Sequence, residues 1–314
     1  MTSSQLVVCV GDALVDLIAA VERLPARGGA VWSPPLRRLP GGTAANVAAG
    51  LATLGAQVAF VGGIGDDADG DFLARDLERR QIDLRGLRRV PGATTGSAVA
   101  LVEPDGERTF IACATGSAHA QIGDAELNMV ESLAPAAVFL TGLLLLDEPA
   151  RSATRRLAER LRGRTRLYFD PNLRQPDTTS AQAIAEAMRA VAGASDVVLA
   201  GEGELRALSL RPAQGQLYAV KRGEHGARLE NAQGSYADAQ AHPTQAVDAT
   251  GAGDAFDAAF IAAHLRGYSD ERALRFANAA AALSVTQPGA RAIASWAAAD
   301  QLAGTAEELH HEGR

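Results

Sequence analysis

An aspartate that follows a run of small residues at the mouth of a helix is the part of this sequence best equipped for chemistry. The stretch is Val247-Asp248-Ala249-Thr250-Gly251-Ala252-Gly253-Asp254-Ala255-Phe256, and an Ala-rich apolar run to Arg266 follows it. That run reads as a helix, so Gly251, Ala252 and Gly253 stand where loop becomes helix. Small residues let a ligand approach the backbone there, and the N–H groups of the first turn have no partner inside the helix. Such a junction attracts anions, phosphate in particular. A carboxylate beside a phosphate pocket repels the ligand unless it has a task. The task that fits Asp254 is general base, taking the proton of a hydroxyl as its oxygen attacks a γ-phosphoryl group. The plainer reading is a Gly-rich turn with an acid near a helix N-terminus, where acids are favoured anyway. Taken alone the two readings weigh about the same, and the rest of the chain decides.

Other polar residues fall where predicted strands end. Leu6 to Val10 reads as a buried strand that delivers Gly11-Asp12 to its carboxyl edge, with Asp16 four residues on. Carboxylates in that place commonly line the ligand crevice of an open α/β sheet and accept hydrogen bonds from sugar hydroxyls. Two solvated loop acids are the alternative. Gly41-Gly42-Thr43-Ala44-Ala45-Asn46 opens a helix ending near Gly55. Its paired glycines permit close backbone approach, and Asn46 offers a donor and an acceptor to a neutral hydroxylated ligand. The strand at 166–170 ends in Asp170-Pro171-Asn172-Leu173-Arg174, where Arg174 can stabilise phosphate charge. Glu202 and Glu204 follow the strand at 196–200 and suit a water-rich Mg²⁺ site, although a solvated helix start accounts for them equally well. Lys221-Arg222-Gly223-Glu224-His225-Gly226 reads as a strand and tight turn, with a basic pair placed either towards nucleotide phosphates or on the surface.

A rival motif is Gly63-Ile64-Gly65-Asp66-Asp67-Ala68, which matches the G-x-G-x-x-A dinucleotide fingerprint. Its two acids would stand where a pyrophosphate must lie, which opposes the ligand. They are better placed as caps for an amphipathic helix running to about Arg80. A dehydrogenase is therefore set aside.

The elements that must position these residues alternate regularly. Strands at 137–141, 166–170 and 196–200 are followed by helices at 148–162, 180–192 and from Glu202. This spacing predicts right-handed βαβ units and a parallel sheet covered on both faces. Residues 19–40 carry four prolines and suit irregular or edge-strand structure. Thr95–Val102 and Arg108–Cys113, joined through Pro104-Asp105-Gly106, predict a hairpin that projects as an antiparallel lid. Residues 273–285 read as helix, and the tail after about Gly304, with His310 and His311, is expected to fray.

Composition bounds the class. The 314 residues suffice for one large α/β domain, and 47% hydrophobic with 21% charged residues is ordinary for a globular enzyme. Aromatics at 4% and a net charge of −7 argue against a nucleic-acid surface. No segment approaches a membrane span or a signal peptide, and two cysteines, Cys9 and Cys113, imply no disulfide framework. A cytoplasmic protein is expected.

Taken together, the three motifs resemble the ribokinase-like, PfkB-type carbohydrate kinases over nearly the whole chain. The N-terminal pattern is Gly41-Gly42-Thr43-Ala44-Ala45-Asn46 with Gly62-Gly63-Ile64-Gly65-Asp66-Asp67. The central one is Asp170-Pro171-Asn172-x-Arg174, and the most specific is Asp248-x-Thr250-Gly251-Ala252-Gly253-Asp254. The resemblance implies a single domain over 1–314, a doubly wound αβα sandwich whose small β lid is formed by about 17–40 and 94–114. It implies ATP with Mg²⁺, and dimers through the lid. By residue, it makes Asp254 the base and Gly251, Ala252 and Gly253 the anion hole. Asp12, Asp16, Gly41, Gly42, Asn46 and Arg174 fall to the sugar. Lys221, Gly223, Gly226, Thr250 and Asn278 fall to the nucleotide, and Glu204 to Mg²⁺. Asp248 and Thr250 match positions that bind a monovalent cation, K⁺, in some members. The family's Asn-x-x-Glu is here Gly201-Glu202-Gly203-Glu204, which keeps the Glu and lacks the Asn. Gly11-Asp12-Ala13-Leu14-Val15-Asp16 resembles fructokinase-type members more than ribokinases. A nucleoside kinase is the alternative within the family, and a catalytically silent sugar-binding regulator is the alternative outside it.

Overall fold

The computed structural model describes residues 6–173 and 180–311, with side chains as far as residue 304. The chain begins in the middle of the main sheet with β1 (Leu6–Val10). It leaves that layer for β2 (Leu14–Ala20) and β3 (Arg37–Gly41), then returns through α1 (Thr43–Thr53) to β4 (Gln57–Gly65). There follow α2 (Ala68–Arg79) and β5 (Asp83–Val90), a second excursion into β6 (Ser97–Val102) and β7 (Arg108–Cys113), and α3 (Asp124–Ser132). From β8 (Ala137–Thr141) the alternation is regular: α4 (Ala150–Leu161), β9 (Arg166–Asp170), α5 (Ala181–Ala194), β10 (Val197–Gly201), α6 (Glu202–Leu208) and β11 (Leu217–Lys221). The antiparallel strands β12 (Ala227–Asn231) and β13 (Gly234–Ala239) precede α7 (Ala252–Leu265), α8 (Asp270–Ser284) and α9 (Trp296–His311).

The main sheet runs β13-β12-β11-β10-β9-β8-β1-β4-β5, parallel from β11 to β5. Period-2 alternation sends Val7 and Cys9 to one face, against α1, α7 and α8, and Val8 and Val10 to the other, against α3, α4 and α5. Both faces are covered, as an αβα sandwich requires. The chain builds outward from β1 first through β4 and β5, then in the opposite direction from β8. This reversal opens a crevice beyond the carboxyl ends of β1 and β8, the place where such sheets bind ligands.

Four strands, in the order β3-β2-β6-β7, form a separate small sheet. Its outer pairs are antiparallel, while β2 and β6 run parallel at its centre.

Asp16 lies within β2, because Leu14 and Val15 are buried and extend the apolar pattern past Asp12. The Arg-rich segment 83–90 is a strand; it is the edge of the main sheet, where charged residues keep an exposed edge in solution. The helix α9 continues past Gly304 to His311, where the chain was expected to fray. As expected, Asp67 caps α2, its carboxylate accepting from the Gly70 N–H at 2.7 Å.

Candidate active site

Gly251 is the N-cap of α7 and adopts φ 77°, the left-handed region that favours glycine. A Cβ there would drive into the Ala290 backbone, so the loop at 289–291 packs directly against this turn. The N-terminal turn that follows carries Ala252, Gly253 and Asp254, and the Thr250 hydroxyl beside it is shielded from solvent with no hydrogen-bond partner. A buried hydroxyl without a partner, next to helix-start N–H groups, suits the oxygens of an anionic ligand.

Asp254 accepts a hydrogen bond at 2.8 Å from the Asn46 side-chain amide on α1. Burial pushes the Asp254 carboxyl up to about 7. Asn46 and Lys221 oppose that rise, whereas Asp170 and Asp12 add to it. A carboxylate so poised exchanges a proton near neutrality.

On the β1 side, Asp12 is wholly buried, and its carboxylate accepts from the Thr43 and Ala44 N–H groups at 2.7 and 3.4 Å. It thus caps α1, and burial raises its pKa against the pull of His119. Asp16 is pushed by burial up to about 6, with Arg291 and Arg108 opposing and Asp12 adding to the rise. Gly41 makes room for the Asp16 carboxylate, which any Cβ there would strike. Gly42, at φ 94°, passes so close to the backbone of Asp12, Ala13 and Leu14 that only glycine fits.

The opposite wall comes from β9, β10 and β11. Lys221 Nζ lies 3.1 Å from Asp170 and 3.0 Å from Asp257, and within 3.6 Å of where a Gly253 Cβ would be. Burial works against the lysine charge, but Asp170, Asp257 and Glu204 outweigh it and hold the pKa above the usual range. Glu204 accepts from the Gly201 N–H at 2.7 Å and the Leu173 N–H at 2.6 Å, tying α6 to the end of β9. Arg222, in contrast, turns to Asp238 at 2.6 Å, and Glu202 to Arg228 at 2.5 Å. The expected basic pair is therefore split: only Lys221 faces the crevice.

Gly226, at φ 83°, packs on the backbone after β13, which Asn278 braces by donating to the Gln240 carbonyl at 2.5 Å. Gly223 is open to solvent-side space. Asp248 is engaged by Arg108 of the small sheet at 2.5 Å, and by the N–H groups of Thr250 at 2.8 Å and Gly289 at 3.0 Å. Arg174 lies outside the described residues.

Two site residues were not anticipated. Asp257 sits one turn after Asp254, and the signal was a second acid in an otherwise apolar helix, at the i+3 spacing that shares a face. Arg291 comes from the irregular stretch after α8, where nothing local marks it. Its side chain is 4% exposed and bonds Asn46, Asp76 and the Gly41 carbonyl.

The residues present suit the groups such a site would take. The Gly253 and Asp254 amides, without a backbone partner among the described residues, the unpaired Thr250 hydroxyl and Lys221, held between Asp170 and Asp257, suit a polyphosphate tail. Glu204, a single carboxylate, suits Mg²⁺, which keeps waters and takes its other oxygens from phosphate. A monovalent cation at Asp248 would have to share that carboxylate with Arg108.

The sequence pattern of the pfkB family carbohydrate kinases matches residues 4–297. The chain belongs to that family. The ATP-dependent ribose-1-phosphate kinase of Halopiger xanaduensis is 34% identical over 295 residues, covering 91% of this chain and 93% of that protein. Fructokinase-1 of Oryza sativa subsp. japonica is 34% identical over 309 residues, covering 91% and 94%. Among solved structures, the fructokinase of Vibrio cholerae O395 with fructose, ADP and calcium bound superimposes with a TM-score of 0.79. It is 26% identical and covers 95% of this chain and 98% of that one.

Proposed function

We propose that this pfkB-family kinase transfers the γ-phosphoryl group of ATP to a hydroxyl of a neutral ketose, with fructose the first candidate. The observation that carries the reading is Asp254, poised near neutrality and oriented by Asn46 beside unpaired helix N–H groups. The sugar O–H bond breaks as its oxygen attacks phosphorus, the proton passes to Asp254, and the β–γ bridging P–O bond breaks to release ADP. The N–H groups of Ala252, Gly253 and Asp254, with Lys221, meet the charge on the equatorial oxygens. Mg²⁺, when held near Glu204, would neutralise phosphate charge. Asp12, Asp16, Gly41, Gly42 and Asn46 are assigned to the sugar, and Gly223, Gly226, Thr250 and Asn278 to the nucleotide side. The small sheet acts as a lid over the sugar, excluding water that would otherwise take the phosphoryl group. No helix among the described residues is long and apolar enough to cross a membrane, and both cysteines are free; we place the enzyme in the cytoplasm.

A neutral acceptor is favoured because both arginines near Asp16 are already paired, Arg291 with Asp76 and Arg108 with Asp248. A substrate phosphate there would have to draw an arginine off its carboxylate and lie beside Asp12 and Asp16. Relatives named fructokinase support the same choice. The test is ADP release across fructose, ribose, ribose 1-phosphate and nucleosides. Fructose is expected to give the highest kcat/KM. A preference for ribose 1-phosphate or a nucleoside would replace the acceptor, and sugar binding without ADP release would make the protein a regulator.

A further inference from the structure

We propose that Arg291 is a positioning residue for phosphoryl transfer, fixing the Asn46 amide so that it can only donate to Asp254. The proposal rests on Asp254 as the general base. Asn46 bridges two groups of opposite demand: its Oδ1 accepts from Arg291 Nε at 2.9 Å, and its Nδ2 donates to Asp254 Oδ2 at 2.8 Å. An amide can be turned over to exchange its oxygen and nitrogen, but a guanidinium has only donors. Arg291 therefore admits one orientation of Asn46. With the amide turned over, N–H would face N–H at Arg291, and a carbonyl oxygen would face the Asp254 carboxylate.

Arg291 is itself held from three elements. Its terminal nitrogens bond Asp76 on α2 and the Gly41 carbonyl at the end of β3, the latter at 2.9 Å, while its Nε is spent on Asn46. The preceding residue, Ala290, packs against Gly251, and Gly289 donates to Asp248. One short loop thus supports the anion-hole glycine from below and sets the partner of the base. A further consequence concerns which oxygen reacts. Asp254 Oδ2 is taken by Asn46, which leaves Oδ1 to receive the substrate proton.

The charged and titratable groups around Asp254 are Asp12 beyond β1, Asp170 on β9, Lys221 on β11 and Asp257 one turn on along α7; those around Arg291 are Asp76 on α2, Arg80 just after that helix and Asp16 on β2. Donation from Asn46 favours the ionised form of Asp254. Loss of Arg291 frees the amide to rotate and weakens that preference, so the base ionises at higher pH.

The experiment is the pH dependence of kcat from 5 to 9 for wild type, Arg291→Met, Asn46→Ala and the double variant, each checked for a cooperative thermal melt. Arg291→Met is expected to move the acid limb upward by about one unit, a loss of about tenfold at pH 6 that largely disappears at pH 9. In the Asn46→Ala background the same substitution should leave the limb where it is. An equal loss at every pH, or an additional shift without Asn46, would show a structural role only and overturn the proposal. Should Arg291→Met not fold, Arg291→Lys takes its place: a smaller upward shift is expected, and none overturns the proposal. Asp254→Asn, measured alongside, separates the two claims. If it keeps wild-type turnover the base assignment fails; if it is inert and Arg291→Met titrates as wild type, only the positioning role fails.

Discussion

Asp254 pays for its reactivity in stability, and the sign can be worked out. Its carboxyl is raised by burial from the ordinary range to about 7 in the folded protein, with Asn46 and Lys221 opposing the rise. The unfolded chain ionises near the usual value of about 3.9. Between those two values the folded state holds a proton that the unfolded state releases, so stability falls as pH rises from about 4 to about 7. The cost is absent below that window and complete above it. Asp254→Asn is therefore expected to be more stable than wild type at pH 8, by up to a few kcal/mol in a dry site and less in this partly open one. Thermal melts at pH 4 and pH 8 check this: the gain should appear only at the higher pH. A base also acts in its ionised form, so wild-type kcat should climb with pH through about 7 before levelling off.

At the scale of elements, Lys221 ties β11 to β9 and α7 through Asp170 and the fully buried Asp257. Removing one member of a buried charge cluster costs about 3–5 kcal/mol, because the other charges are left uncompensated. Lys221→Met should therefore lower the melting temperature and turnover together. Adding Asp257→Leu removes one stranded charge and should restore much of the stability while leaving turnover low; recovery of both would reduce Lys221 to a structural part. This arrangement shows what sequence could and could not reveal. Strand-end residues such as Asp12, Asp170 and Lys221 were legible, because apolar runs with sharp ends announce where a parallel sheet opens. The turn at Gly251 was legible from its small residues. Arg291 was not, since its three partners lie on α1, α2 and β3 and only the packed chain brings them together. Asp16 was legible as an acid near a strand's end, but not as part of a strand, since nothing local shows that the chain crosses into a second sheet at Leu14. The Arg-rich β5 went unmarked in the sequence, and its place at a sheet edge accounts for the charges.

For the whole molecule, β7 is an edge strand exposed along most of its length. Arg108 reaches back to Asp248, and alternation puts Phe110 on its face of β7 and Ile111 on the other, with Phe110 itself 51% exposed. Ile111 at 55% exposure and Trp32 at 94% are large apolar side chains left in water, and an uncovered apolar edge invites pairing. We expect wild type to sediment as a dimer and Ile111→Glu as a monomer; a wild-type monomer would remove the lid from any role in assembly. The account as a whole stands on proton removal by one carboxylate. The direct measurement is single-turnover phosphoryl transfer from ATP to fructose by Asp254→Asn, with fructose affinity measured separately. Transfer is expected to slow by at least ~10²-fold while affinity holds; transfer at close to the wild-type rate would contradict it.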